Sequence, residues 1–490
     1  MVHTSDRFAV WIAIGRIFSM LATFAMPLIL TRCLTVADYG VFSQFFTLYT
    51  VLYAMFAVGI HTNLFFFYPN SSKDRQNECV SNTLLLLCLS GVIFGGIMFM
   101  PPVQNIVFGE SVLSEYSVWV IICVALAVPM NIVAPLFSVM EDRFGAIMYP
   151  ALVAVGRIMV VVVIAVLFHN IVWIMVGMVA FQLVVLGFSV FYSLHTHKFV
   201  INKSFIKAQL SYSLPFGLAV ALQLLSNYFD KIVSVTLLTP TEYAIYSVAF
   251  LSIPGVNQLY DSLAQMNIIN MSKCYQAGEY DRIGELYRSF VQKTLSFSAP
   301  LIMAVALFAE EIIGFLFNED YSGAAVYFRI YSLTFLVTMF GAGTILRSVN
   351  KTKLSLLAFV CACAVGLPLT YFLISSYNID GAILSAVINI VMPRFIQMGL
   401  EIKVTKQSLL SYLPWKNISM ILGYAIVFLI PLIIVKWFYK PMLVVDIALS
   451  IAYVFVVYYC FIKKNIFIVS HDTIQLAMAK LKSKILRKNK

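Results

Sequence analysis

Long, uninterrupted apolar runs recur along the whole chain, and no other feature restricts the possible folds as strongly. Most of them are about 20 residues or longer, the length that a helix needs to cross the hydrocarbon core of a bilayer. The sequence therefore predicts an all-α polytopic membrane protein with about 14 transmembrane helices. The runs lie near residues 8–34, 41–68, 79–100, 116–138, 146–168, 171–194, 210–238, 243–268, 290–309, 322–346, 353–376, 379–400, 417–437 and 441–462.

The composition leaves no room for a soluble domain. Of the 490 residues, 61% are hydrophobic and 11% are charged, whereas soluble domains average about 45–50% apolar and about 25% charged residues. The longest polar stretch spans only residues 269–292. The chain has no G-K-[ST] phosphate loop, and its eight cysteines and six histidines show no metal-ligand spacing. We therefore predict that the protein is not an enzyme and holds no metal and no cofactor.

The basic residues predict the orientation in the membrane. Most of the 33 lysines and arginines fall on the segments that are cytoplasmic if the N-terminus is cytoplasmic, and the C-terminus then lies on the same side. Residues 466–490 form a basic tail. Its sequence is equally compatible with an amphipathic helix on an anionic inner leaflet and with a disordered segment. The net charge of +11 reflects this bias and lipid contact, and does not indicate a nucleic-acid partner.

An internal repeat predicts the architecture. The segment L-T-V-A-D-Y-G-V-F-S at 34–43 returns as L-T-P-T-E-Y-A-I-Y-S at 238–247, and L-F-S-V at 136–139 returns as L-R-S-V at 346–349. Six helices separate the copies, so both halves enter the membrane with the same polarity, as in parallel-repeat transporters. We expect four parts: a six-helix lobe over 1–200, a second over 201–405, helices 13 and 14 over 406–465, and the tail at 466–490.

Five segments have the sequence patterns of a known family. They are S-Y-S-L-P-F-G-L at 211–218, N-Y-F-D-K at 227–231 and T-E-Y-A-I-Y-S-V-A at 241–249, with L-T-R-C-L-T-V-A-D-Y-G-V-F at 30–42 and Y-Q-A-G-E-Y-D-R-I-G-E-L-Y-R at 275–288. These segments resemble the Wzx-type polysaccharide-unit (O-antigen) flippases of the multidrug/oligosaccharidyl-lipid/polysaccharide exporter superfamily. The patterns cover helices 1–12. They are loose, so they indicate a superfamily better than a substrate.

The resemblance implies a function, a location and partners. The expected activity is alternating-access flipping of an undecaprenyl-diphosphate-linked oligosaccharide, an O-antigen or similar polysaccharide repeat unit for lipopolysaccharide biosynthesis, from the cytoplasmic to the periplasmic leaflet. The expected location is the bacterial inner membrane. The expected energy source is an H⁺ or Na⁺ gradient, and the polysaccharide polymerase machinery is the implied protein partner.

Charged residues inside the predicted helices are candidates for the transport site. Each costs about 2.5–3.5 kcal/mol at mid-bilayer unless it faces a partner or a water-filled cavity. The helices of the first lobe carry arginines and no acid, and the planar arginine fork suits a diphosphate. We predict that these cations bind the diphosphate, with an arginine–aspartate brace, such as Arg16 with Asp261, as the alternative. The four cations are Arg16, Arg157, Lys231 and Arg329.

Polar stripes in the second lobe extend this candidate site. Asp230 and Asp261 lie on such stripes and are the candidate ion-coupling carboxylates, although Asp230 also neutralises a nearby cation in an alternative interpretation. The stripes either line a hydrated cavity or hold helices together. Their uncharged members are Gln223, Asn227, Asn257, Gln265 and Asn389.

Other functions remain open from the sequence. The first alternative is a cation-coupled multidrug exporter, which would use a carboxylate in the first lobe to bind its cation. The second is a flippase for another lipid-linked glycan, such as a peptidoglycan precursor. A membrane glycan polymerase or ligase is a poorer match because the predicted outer loops are short, and the polar stripes argue against a scaffold that transports nothing.

Overall fold

The computed structural model describes residues 24–464 and 466, apart from 58, 70, 110, 252, 254, 255, 350, 407 and 439–442. All regular elements within these residues are helical, which confirms the predicted all-α class. The helices are α1 (Phe24–Cys33), α2 (Val36–Phe56), α3 (Asn63–Phe67), α4 (Lys73–Met98), α5 (Pro101–Val107), α6 (Ser117–Met130), α7 (Val133–Val139), α8 (Arg143–Phe168), α9 (Ile171–Thr196), α10 (Lys203–Leu237), α11 (Pro240–Ala249), α12 (Val256–Gln276), α13 (Tyr280–Leu307), α14 (Ala309–Leu316), α15 (Ala324–Thr338), α16 (Thr344–Ser348), α17 (Thr352–Thr405), α18 (Leu409–Tyr412), α19 (Trp415–Phe438) and α20 (Leu443–Lys463).

The predicted apolar runs coincide with these helices, but not every run is one straight span. Within the described residues, eight helices are long and apolar enough to cross a membrane, or up to nine if the bent pair Val36–Phe56 and Ile60–Phe67 forms one span. The predicted number of 14 spans is not confirmed. Some runs are divided, as α11 and α12 are, and the predicted first run lies largely outside the described residues.

Helix α17 shows how one element accounts for two predicted spans. A straight helix of its 54 residues would be about 80 Å long, more than twice the thickness of the hydrocarbon core. Asn378 interrupts it with φ 49° and ψ −126°, and asparagine adopts positive φ more readily than most residues. At this corner a Cβ atom on Gly381 would lie 1.9 Å from the carbonyl oxygen of Leu373. The two arms match the predicted runs 353–376 and 379–400.

The internal repeat recurs in local structure. Thr35 begins α2, and its hydroxyl accepts from the backbone N–H of Asp38 at 3.1 Å. In the second copy, the Thr239 hydroxyl accepts from the Glu242 N–H at 3.3 Å, and the Glu242 carboxylate accepts from the Thr239 N–H at 3.0 Å. Each copy therefore starts its helix with a threonine cap and an acid three residues later. The order of the later helices repeats as well, because short helix α7 follows α6 as α16 follows α15.

The chain divides into two compact units. Unit 1 comprises residues 1–248, 316–324 and 366–386, and unit 2 comprises residues 249–315, 325–365 and 387–490. Helices α10 and α11 pack within unit 1, where the amide of Gln44 donates to the carbonyl oxygens of Val235 and Leu238 at 3.2 and 3.3 Å. These boundaries differ from the predicted lobes at 1–200 and 201–405, which follow the repeat and stay a prediction. The predicted tail helix lies outside the described residues apart from Ile466.

Candidate functional site

Arg157 is the predicted site cation whose surroundings are most distinctive. It lies on α8 and is half-buried, and its Nη1 donates to the Tyr49 hydroxyl on α2 at 3.2 Å. The centre of the guanidinium lies 5.5 Å from the Phe46 ring and 5.7 Å from the Tyr49 ring. Aromatic faces at such distances stabilise a cation by about 0.5–2 kcal/mol. The neighbours of the guanidinium are therefore aromatic rings, whereas an arginine inside a membrane helix would ordinarily be expected to pair with a carboxylate.

No acid neutralises Arg157 in the part of the chain that the structure describes. The ion pairs found there are Arg282–Glu279, Arg329–Glu310 and Lys436–Glu311. A guanidinium carries five N–H donors, and the buried Nε of Arg157 has no hydrogen-bond partner. Among the described residues, Arg157 thus has a phenol and two aromatic rings as neighbours and one buried donor without a partner, and its role in an anion site or a brace stays a prediction.

The rings around Arg157 belong to an aromatic column on α2. Neighbouring ring centroids are 5.9 Å apart for Phe42 and Phe46, 6.0 Å for Phe46 and Tyr49, and 5.9 Å for Tyr49 and Tyr53. The column forms because side chains three and four residues apart are neighbours on a helix. Its end is held by the Tyr53 hydroxyl, which donates to Asn131 at 2.6 Å. Sequence reasoning missed this column, although the aromatic spacing in α2 was the available signal.

Arg329 has a different environment. Its Nη2 donates to Glu310 Oε1 at 2.9 Å, and its Nε donates to the Ala306 carbonyl at 2.9 Å. This hydrogen bond from Arg329 lowers the pKa of the Glu310 carboxyl below its usual value. Lys436 likewise contacts Glu311 at 2.9 Å. Both cations line one groove of about 740 Å³ in unit 2. Because each is paired with a glutamate, the pairs favour a brace over an anion site at Arg329.

Asp230 and Lys231 lie side by side on α10 in unit 1. The Asp230 carboxylate is 7% exposed and accepts a hydrogen bond from the Tyr246 hydroxyl at 3.0 Å. The Lys231 ammonium lies 5.1 Å from the centre of the Tyr228 ring. Arg157 makes no hydrogen bond or ion pair with either residue. Asp230 is thus a buried acid with a phenol partner, an environment that is compatible with either a coupling acid or a structural one.

The polar stripes are described only in part. On α12, Asp261 and Gln265 are exposed and Asn257 is half-buried, and on α17 Asn389 is half-buried. Arg16 and the side chains of Gln223 and Asn227 lie outside the described residues. The assignment of these stripes to a cavity or to helix contacts therefore stays a prediction.

Sequence reasoning also missed a buried acid in unit 2. Glu401 is 0% exposed, and its carboxylate accepts the backbone N–H groups of Ile345 and Leu346 at 2.8 and 3.2 Å. Its other oxygen contacts the Tyr412 hydroxyl. In the sequence, Glu401 directly follows an apolar run and looks like an ordinary charged residue at the end of a membrane helix. Glu401 differs from such a residue only because α16 and α18 pack around it in the folded protein.

Comparison with solved structures shows which known fold the chain adopts. The chain is similar to an inward-closed structure of the lipid II flippase MurJ, with 12% identity and a TM-score of 0.72, over 93% of this chain and 100% of that one. It is also similar to an inward-facing multidrug resistance MATE family transporter of the MOP superfamily, with 13% identity and a TM-score of 0.61, over 79% of this chain and 94% of that one. The fold is that of these multi-pass membrane transporters.

The sequence itself places the chain in a particular family. The family described as "Polysaccharide biosynthesis protein" matches residues 29–326, more than half of the chain, and the chain belongs to this family. No curated protein matches the chain. Membership of a polysaccharide biosynthesis family, together with the fold shared with a flippase and a transporter, confirms the resemblance to polysaccharide-unit flippases that the sequence predicts.

Proposed function

We propose that this protein flips an undecaprenyl-diphosphate-linked oligosaccharide, an O-antigen or similar polysaccharide repeat unit, from the cytoplasmic to the periplasmic leaflet by alternating access. It acts in the bacterial inner membrane with both termini in the cytoplasm. The polysaccharide biosynthesis family supports a glycan cargo. The anionic inner leaflet is the proposed lipid partner, and the polymerase machinery takes up the translocated unit.

Arg157 is the observation that carries the proposal. A cation inside a membrane-spanning helix, with aromatic neighbours, no paired acid among the described residues and an unpartnered buried Nε, suits a doubly charged phosphate group. A multidrug exporter that binds organic cations would gain nothing from this charge, because like charges repel in a low-dielectric site. Arg16 and Lys231 are the further candidates for contacts with the diphosphate, whereas Arg329 is held by its glutamate partner.

An ion gradient drives the cycle. The chain has no phosphate loop for ATP hydrolysis, so the energy comes from H⁺ or Na⁺. Asp230 and Asp261 are the candidate coupling acids, because a carboxylate within a membrane helix can bind and release either ion. Gln223, Asn227, Asn257, Gln265 and Asn389 of the polar stripes are the candidate residues for contacts with the sugars.

Reconstituted protein tests the proposal directly. Liposomes that contain an undecaprenyl-diphosphate oligosaccharide and the full chain are assayed for transfer of the lipid to the far leaflet, with and without an imposed H⁺ or Na⁺ gradient. We expect Arg157→Ala to reduce flipping about 10- to 100-fold, since a hydrogen bond to a charged group contributes about 1.5–3 kcal/mol. Arg282→Ala, which removes an arginine from an exposed ion pair, is the matched control and should flip normally.

The same preparation distinguishes the alternatives. Gradient-driven efflux of an organic cation, without flipping of the glycan lipid, would assign the protein to the multidrug exporters. Flipping of a peptidoglycan precursor in preference to other glycan lipids would change the substrate while keeping the diphosphate site. Normal flipping by correctly inserted Arg157→Glu protein would refute the anion site.

A further inference from the structure

The buried carboxyl of Glu401 joins four helices of unit 2. It lies on the second arm of α17, and its Oε1 accepts from the N–H groups of Ile345 and Leu346 on α16. Its Oε2 contacts the hydroxyl of Tyr412 on α18. Tyr412 is in turn 2.8 Å from the Tyr287 hydroxyl on α13. One acid therefore connects α13, α16, α17 and α18.

No cation neutralises this carboxyl among the described residues. None of the ion pairs found there involves Glu401. On α13, Arg288 is engaged with the backbone carbonyl of Ser411 at 2.9 Å. Lys403 follows Glu401 on α17 but is exposed. Other charged or titratable side chains on the surrounding segments include Tyr260, Asp261, Arg347, Arg394, Lys406 and Lys416.

The hydrogen bonds around Glu401 form a chain that ends on a backbone carbonyl. It runs from Glu401 Oε2 to the Tyr412 hydroxyl, from there to the Tyr287 hydroxyl, and from Tyr287 to the Phe340 carbonyl at 2.8 Å. Both phenols are fully buried, with 0% exposure. Burial also raises the pKa of Tyr412 far above its usual value, so this phenol keeps its proton.

A count of hydrogens decides the state of the carboxyl. The chain has three oxygen–oxygen links, and each link needs one hydrogen. The two phenols supply two, and the Phe340 carbonyl supplies none. If Glu401 is ionised, one link places two oxygens face to face with no hydrogen between them. If Glu401 is protonated, its O–H donates to Tyr412, Tyr412 donates to Tyr287, and Tyr287 donates to Phe340, so every link is made.

We infer that Glu401 is a proton-binding site and is neutral in this structure. The bound proton completes the links that hold α18 and the start of α19 against α13, α16 and α17. Loss of the proton would bury an uncompensated negative charge and leave one link without a hydrogen, which weakens this contact. If this proton exchanges during transport, Glu401 is a third coupling acid besides Asp230 and Asp261. That last step rests on the proposed function, whereas proton binding does not.

Infrared spectroscopy of the full-length protein in liposomes tests proton binding without a transport assay. We expect the wild-type spectrum to show more C=O stretching intensity of a protonated carboxylic acid than the Glu401→Gln spectrum, and this difference should diminish as the pH is raised. Glu279→Gln, which alters an exposed glutamate in an ion pair with Arg282, is the matched control and should leave the band unchanged.

A second variant keeps the test informative if the Glu401→Gln protein does not fold. Tyr412→Phe keeps the carboxyl but removes the acceptor of its O–H, so the band should remain and move in frequency. Equal band intensity in wild type and folded Glu401→Gln, or a Glu401 band that does not move in Tyr412→Phe, would overturn the assignment. A failure of glycan-lipid flipping in the wild-type protein would leave the infrared result intact and affect only the proposed function.

Discussion

Gly40 in α2 and the carbonyl oxygen of Pro240 at the start of α11 are so close that a Cβ atom on residue 40 would lie 1.8 Å from that oxygen. The two residues belong to the two copies of the sequence repeat. In the second copy, Ala244 stands at the position equivalent to Gly40. The repeat therefore does more than duplicate a helix start, because its two copies touch each other inside unit 1.

This contact predicts that Gly40→Ala destabilises the protein. The added methyl group would meet backbone, which cannot move aside as a flexible side chain can, and overpacking of this kind typically costs about 1–3 kcal/mol. Thermal unfolding in detergent, followed by size-exclusion chromatography, measures the effect. Gly187→Ala in α9, where nothing lies within 4 Å of the new Cβ, is the control. Equal melting temperatures for the two variants would show that the close approach is not rigid.

The chemistry of Arg157 predicts a graded series of transport defects. Arg157→Lys keeps the positive charge but loses the planar fork, so its flipping rate should fall between those of wild type and Arg157→Ala. Tyr49→Phe removes only the hydroxyl that Arg157 contacts at 3.2 Å and should reduce flipping less than about tenfold. Initial rates of glycan-lipid flipping at several substrate densities measure the series. Full activity of Arg157→Lys would indicate that a point charge suffices.

The Glu310–Arg329 pair predicts a small effect at acidic pH. Because the pKa of Glu310 is lower in the folded protein than its usual value, the pair contributes stability above that usual value, which is about 4.3, and the contribution disappears as the pH falls through the folded pKa. The side chains of Arg329 and Glu310 are 37% and 58% exposed, so solvent screening limits the contribution to under about 1 kcal/mol.

Melting temperatures measured from neutral to acidic pH test the pair. The difference between wild type and Glu310→Gln should shrink as the pH falls below about 4, where an ordinary glutamate carboxylate becomes protonated. Glu319→Gln, which changes a nearby exposed acid without an ion pair in the described residues, is the control. A difference that grows with acidification would contradict the lowered pKa.

The link between Glu401 and Tyr412 predicts a clear loss of stability in Tyr412→Phe. This change leaves a buried carboxyl oxygen without its phenol partner, at a cost of about 1–3 kcal/mol. Tyr459→Phe on α20, where the side chain is 66% exposed, is the control and should change the free energy of unfolding by less than about 0.5 kcal/mol. Denaturant or thermal unfolding of the detergent-solubilised protein at mildly acidic pH compares the two. Equal stability would show that Glu401 finds another partner.

Several features were determined by the sequence alone. Apolar runs of membrane-spanning length dictate helices, because only internally hydrogen-bonded backbone is stable in hydrocarbon. The repeat at 34–43 and 238–247 carries its own helix starts, since the threonine caps and the acids three residues later act locally. Such features depend on neighbours in the chain, and they led correctly to the helical class and to the family resemblance.

Tertiary structure decided what each charge does. Arg157 and Arg329 look alike in the sequence, as single arginines in apolar runs, yet one faces aromatic rings and the other pairs with Glu310. Glu401 looks like a flanking surface acid and is fully buried. The hydropathy pattern also did not predict that the run at 243–268 is divided between α11 and α12. The physical reason is that ion pairs, burial and helix breaks depend on residues that are distant in the chain, whereas a hydropathy pattern reflects only residues that are close together in the sequence.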